Sequence, residues 1–93
     1  MKIDFTKKLR NLDGSDAEKT FGYLIGCLLF GYGDANVSAD KKYSAYKLMQ
    51  RISSETAECE ISVEEAVLIK EISAKSMNAG IYGQIVDLLE NNV

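Results

Sequence analysis

Histidine is absent from this 93-residue chain, proline is absent too, and only two cysteines are present. Without histidine, neither a Ser-His-Asp nor a Cys-His nucleophilic arrangement can be assembled, and no zinc site with a histidine ligand can exist. Two cysteines alone do not close a tetrahedral metal site. Hydrolase and metal-centre readings fall together, and no cofactor is expected. The lack of proline, with few turn clusters, favours long helices over a many-stranded sheet. Cys27 sits in an apolar run and Cys59 in an acidic stretch, with no paired spacing between them. The opening MKIDFTKKLR has no apolar signal-peptide core. These features read as a reduced, cytoplasmic protein with two buried structural thiols.

What is present points to one folded domain over residues 1–93. Hydrophobic residues make up 46% of the chain, too many for a disordered segment. At this length, folding buries about 60% of the unfolded surface, so the core is real and stability is modest. The net charge of −3 is uneven: residues 1–53 carry +3 and residues 54–93 carry −6. Such a split predicts complementary faces, within one molecule or between two copies.

Along the chain, Ile3 and Phe5 alternate with polar neighbours, so residues 1–14 read as an extended N-terminal arm or strand. Asp13 and Gly14 suit a tight turn. A first helix is expected to begin near Ser15 or Asp16, with Glu18 favourably placed in its first turn. From Phe21 to Phe30 that helix is apolar on nearly every face, which predicts burial all round. Gly31 or Gly33 ends it. Ser38 caps a second helix over 39–53, whose buried stripe is read as Tyr43, Tyr46, Met49 and Ile52, with Leu48 alongside. Cys59 and Ile61 alternate with glutamates in a brief strand, 57–61, expected to pair with residues 2–5. Ser62 and Glu65 form a capping box opening a third helix over 63–77. Its inner face is Leu68, Ile69 and Ile72, and Glu71 and Lys75 are spaced for an ion pair. Asn78 to Gly80 interrupt the helix, and a fourth carries Ile81, Ile85, Leu88 and Leu89 inward. The expected fold is mainly α, a compact four-helix domain with a short two-stranded β element.

Several local patterns invite a chemical reading. The uncharged stretch 20–33 holds Gly22 and Gly26 four apart, a spacing that lets helices approach closely in lipid. It is shorter than the ~20 apolar residues a spanning helix needs, so no membrane role is expected. A core helix accounts for the run on its own. The other reading is a helix shared between the core and a homodimer interface at Gly22, Gly26, Leu29 and Phe30, because so short a chain has little interior to hide it. Asp34, Asn36 and Ser38 are spaced as in a calcium loop, yet Ala39 replaces the required glycine and Ala45 the bidentate glutamate. A loop ending in a helix cap is preferred. Lys41, Lys42, Lys47 and Arg51 with Tyr43 and Tyr46 could neutralise phosphates and stack on bases. The acidic net charge and the expected burial of both tyrosines disfavour nucleic acid. Glu55, Glu58, Glu60, Glu64 and Glu65 lie on a solvated segment lacking the desolvation that acid–base catalysis needs, so no enzyme is expected.

Four stretches carry a resemblance: KIDFTKKLRNLDG at the start, YKLMQRI in the second helix, ISVEEAVLIKEI in the third and IYGQIVDLLE at the end. Together they cover about half of the chain. In them the sequence resembles a group of small tailed-bacteriophage and prophage proteins of uncharacterised function. None is a catalytic motif. The resemblance implies a phage or prophage origin and a non-enzymatic role, and it transfers no functional residue. The expectation is a homodimeric protein-interaction module that acts on a host or phage protein in the host cytoplasm. Assistance to virion assembly and inhibition of a host defence complex both fit. The alternative is a nucleic-acid-binding accessory protein using Lys41, Lys42, Lys47 and Arg51.

Overall fold

A computed structural model describes residues 1–53 and 58–90. The N-terminal segment opens with strand β1, Lys2–Ile3. Its partner is β4, Cys59–Glu60, antiparallel with Ile3 opposite Cys59 and Lys2 opposite Glu60. This is the expected β element in shorter form; residue 57, where the expected strand begins, lies outside the described residues. The alternation of Ile3 and Phe5 holds, and both side chains are buried.

The next twenty residues depart from expectation. Strands β2, Lys8–Arg10, and β3, Asp16–Thr20, form an antiparallel hairpin with an irregular register. Residues 16–20 are therefore strand, and the first helix begins only at Phe21. The physical reason lies in the turn. Gly14 adopts φ +88°, a conformation glycine takes without strain. Ser15 donates its hydroxyl and its backbone N–H to the Asp13 carboxylate. Ser15 is thereby spent on the turn, and Asp16 pairs with Arg10 across the hairpin. The hydroxyl and N–H of Ser15 hold the Asp13 carboxyl below the usual carboxylate range, as those of Thr6 do for Asp4. Helix α4, Ala79–Glu90, covers the outer edge of β2. Gln84 accepts from the Arg10 N–H at 2.7 Å and donates to the Arg10 carbonyl at 3.0 Å, occupying an edge that would otherwise be open.

Helix α1, Phe21–Phe30, is capped by Thr20, whose hydroxyl accepts from the Tyr23 N–H. Two more of its first-turn N–H groups are satisfied by the N-terminal segment: Phe21 donates to Lys7 O at 2.9 Å and Gly22 to Phe5 O at 2.8 Å. Gly22 lies where two other backbone segments come close. A Cβ there would stand 3.1 Å from Phe5 O and 3.2 Å from Ile52 O.

Helix α2, Ala39–Ile52, is capped by Ser38, and helix α3, Val63–Ser76, by the Ser62–Glu65 capping box. In that box Ser62 N donates to Glu65 Oε1 and Glu65 N to Ser62 Oγ. Asn78 accepts from the Ile81 N–H at the start of α4. α2 runs antiparallel to α1: its last carbonyl meets Gly22, and Lys42 near its start lies against Gly33. α1 packs on both α2 and α3, and α3 on α4. The core joins Phe21, Ile25 and Leu29 of α1 to Leu48 and Ile52, Ile69 and Ile72, and Ile85 and Leu89, with Ile3, Phe5 and Ile61 from the extended segments. Glu71 and Lys75 do not pair; the ion pair at this end of α3 is Lys70 with Glu90, 3.0 Å apart. The charge split is met in part within one molecule. The Met1 amine reaches Glu60, Lys2 reaches Glu58, and Arg51 pairs with Glu65.

Ser73 is fully buried, and its hydroxyl has no hydrogen-bond partner among the described residues. An unsatisfied buried hydroxyl costs about 1–3 kcal/mol. Replacing Ser73 with Ala should therefore raise unfolding free energy by about 1 kcal/mol in urea titration. Gly22→Ala should lower it by about 1–2 kcal/mol, because both obstructing atoms are backbone carbonyls of separate elements. Gly26→Ala, whose Cβ would meet nothing within 4 Å, should gain about 0.5–1 kcal/mol of helix propensity.

Candidate functional site

Helix α1 is apolar throughout but not buried throughout. Phe21, Gly22, Ile25, Gly26 and Leu29 are buried. Tyr23, Cys27 and Phe30, at i, i+4 and i+7, form an outer face, and Phe30 is 80% exposed. The expectation of burial all round is corrected for a simple reason: α2 and α3 flank α1, and no element lies across its third side among the described residues. Lys19 places its ammonium 4.5 Å from the Tyr23 ring centre, a cation–π contact at one end of this face. Of the expected interface residues, Gly22 and Leu29 belong to the interior of a single chain. Gly26 is buried too, although a Cβ there would meet no described residue within 4 Å, and Phe30 alone of the four stands on the outer face. Tyr23 and Cys27 complete the face and were legible from their spacing to Phe30.

The two thiols differ. Cys59 is buried, and burial pushes its pKa up, with Arg51 acting weakly the other way. Cys27 is exposed, against the expectation of a buried thiol.

The tyrosines of α2 are a second correction. Tyr43 and Tyr46 are 60% and 47% exposed, and the buried positions are Ala45, Leu48 and Ile52. A strict three-residue step falls about 60° short of a full turn each time, so 43, 46, 49 and 52 spiral across half the helix. The inward set follows the helical period, with small Ala45 allowing α1 to come close. The two tyrosine rings lie 6.2 Å apart, Gln50 donates to the Tyr46 hydroxyl, and the Lys47 ammonium is 5.6 Å from the Tyr43 ring centre.

The basic residues of α2 do not converge. Lys41 lines a cleft shared with α3, while the methylenes of Lys42 pack against Gly33. Lys47 stays beside Tyr43, and Arg51 is held by Glu65. The acidic group is likewise dispersed. Glu58 and Glu60 reach toward the N-terminal strand and Glu65 is engaged at both ends of its carboxylate; Glu55 lies outside the described residues. In the loop before α2, Asp34 accepts from the Asn36 N–H and Ser38 caps the helix. Among the described residues no three cysteine or carboxylate side chains gather as metal ligands. No described helix is long and apolar enough to cross a membrane; α1 has 10 residues.

The geometry therefore presents surfaces: the outer face of α1, the exposed tyrosines of α2 and the cleft between α2 and α3. No protein-family model, curated protein or solved structure matches the chain.

Proposed function

We propose that this chain is a small non-enzymatic protein-interaction module that acts as a homodimer joined through the outer face of α1. One observation carries the reading: an uncharged helix exposes Tyr23, Cys27 and Phe30 around buried Gly26, whose missing Cβ no other described element occupies. Glycine in a helix interior costs about 1 kcal/mol relative to alanine. Gly22 recovers that cost through the backbone approaches it permits, and a second copy crossing at Gly26 would do the same there. Two such faces meet without like-charge repulsion. Tyr23 and Phe30 put exposed aromatic surface on this face, 56% and 80% exposed. The resemblance to phage and prophage proteins supports a host or phage protein as the dimer's target in the host cytoplasm. Help in virion assembly and inhibition of a host defence complex are both roles for such a module.

A second reading rests on the exposed Tyr43–Tyr46 pair beside Lys47, a stacking platform next to a cation. As a nucleic-acid-binding protein using Lys41, Lys42, Lys47 and Arg51, the chain would bind single-stranded oligonucleotides with an affinity that falls steeply with salt.

For the dimer, sedimentation velocity should show two copies, and Phe30→Glu should weaken association at least about thirtyfold while leaving the circular dichroism spectrum unchanged. A short bismaleimide should link wild-type chains through Cys27 and leave Cys27→Ser uncoupled. A monomer at millimolar concentration would end this reading. For nucleic acid, Lys47→Glu should abolish oligonucleotide binding at low salt, and no wild-type binding under those conditions would end that one.

A further inference from the structure

Helices α2 and α3 both lean on α1 and scarcely touch one another. They are tied at one end by Arg51 and Glu65, and from there a cleft of about 650 Å³ opens between them. Leu48 forms its buried floor, with half-buried Leu68 beside it. Val63 and Val67 stand along the α3 wall, Val63 64% exposed. The cleft-lining residues of α3 include Glu64, Val67, Leu68 and Glu71, at i, i+3, i+4 and i+7. That is the spacing with which a helix covers its face against another helix. Here the apolar pair has no helix over it, and the carboxylates at either end have no ion-pair partner among the described residues. Lys41 is the one cation lining the cleft besides its own end, where Arg51 is neutralised by Glu65.

We infer that this cleft docks an amphipathic helix of a protein partner, one carrying an apolar pair between two basic residues seven positions apart. The charge pattern selects that occupant. Glu64 and Glu71 are two helical turns apart, ~10.5 Å along the axis, so lysines or arginines at the same spacing on a helix laid alongside meet both. The apolar pair between them packs on Val67 and the exposed part of Leu68. An acidic helix of the same shape would bring carboxylates against Glu64 and Glu71 and be rejected. The surface is separate from the outer face of α1, and the inference does not rest on the dimer.

The test uses two labelled helical peptides of identical design, with leucines at i+3 and i+4 and either lysine or glutamate at i and i+7. Fluorescence anisotropy with the full chain should show the lysine peptide binding at least about fivefold more tightly than the glutamate peptide. The double variant Glu64→Gln, Glu71→Lys should erase or invert that preference. Val67→Lys should weaken binding of the lysine peptide at least about fivefold. All three side chains are solvent-facing, and thermal melts of each variant verify that the fold is kept. No binding of either peptide, equal binding of both, or a preference unchanged in the double variant would overturn the inference. So would self-association that Val67→Lys abolishes and Phe30→Glu leaves intact, because the cleft would then hold a second copy.

Discussion

The fold turns on a backbone contact at Gly22. Its N–H donates to Phe5 O, and the space a side chain would take is filled from two directions, by Phe5 O and by the last carbonyl of α2. Three elements distant in sequence converge there: the N-terminal segment, the first turn of α1 and the end of α2. Because the residue has no Cβ, the N-terminal segment can also satisfy the helix's free amide groups, which would otherwise need water or a cap. α1 becomes the central post of the molecule, and the remaining helices are arranged by how they lean on it.

That arrangement leaves functional surface as a by-product of geometry. α2 and α3 flank α1 without closing over it, so α1 keeps an open side. The same splay parts α2 from α3 beyond the Arg51–Glu65 tie. One packing choice thus generates both the aromatic face and the acid-flanked cleft. Val63 and Val67 share the α3 wall of the cleft, while Leu12 is a single surface hydrophobic of the kind any globular protein displays.

Much of this was legible in the sequence wherever the deciding interactions were local. Ser38 and the Ser62–Glu65 box fixed the starts of α2 and α3, and the inward residues of α4 followed from their period. The alternation of Ile3 and Phe5 identified a half-buried extended segment and its partner near Cys59. What escaped was decided at a distance. Residues 16–20, DAEKT, look like an acidic first helical turn until β2 is set against them and Ser15 is taken by Asp13. Tyr43 and Tyr46 were placed inside because a three-residue step was taken for the helical period. Gln84, which pairs with the Arg10 backbone across 74 positions, carries no local signal at all. Nor could the sequence separate the two glycines of α1, since only tertiary structure distinguishes one walled in by carbonyls from one facing empty space.

The pairing of β1 with β4 has a bearing on how the chain reaches this state. The strand is two residues long, and its partner lies at Cys59–Glu60. Closing a loop of that length costs about 3.5 kcal/mol in chain entropy before any contact is made. Two residues of ladder do not repay that alone. The strand can hold only where α1 and α3 already frame the site for Ile3 and Phe5. The residues of β1 are in this sense among the last whose position is worth fixing, and the strand acts as a latch on a body the helices have already assembled.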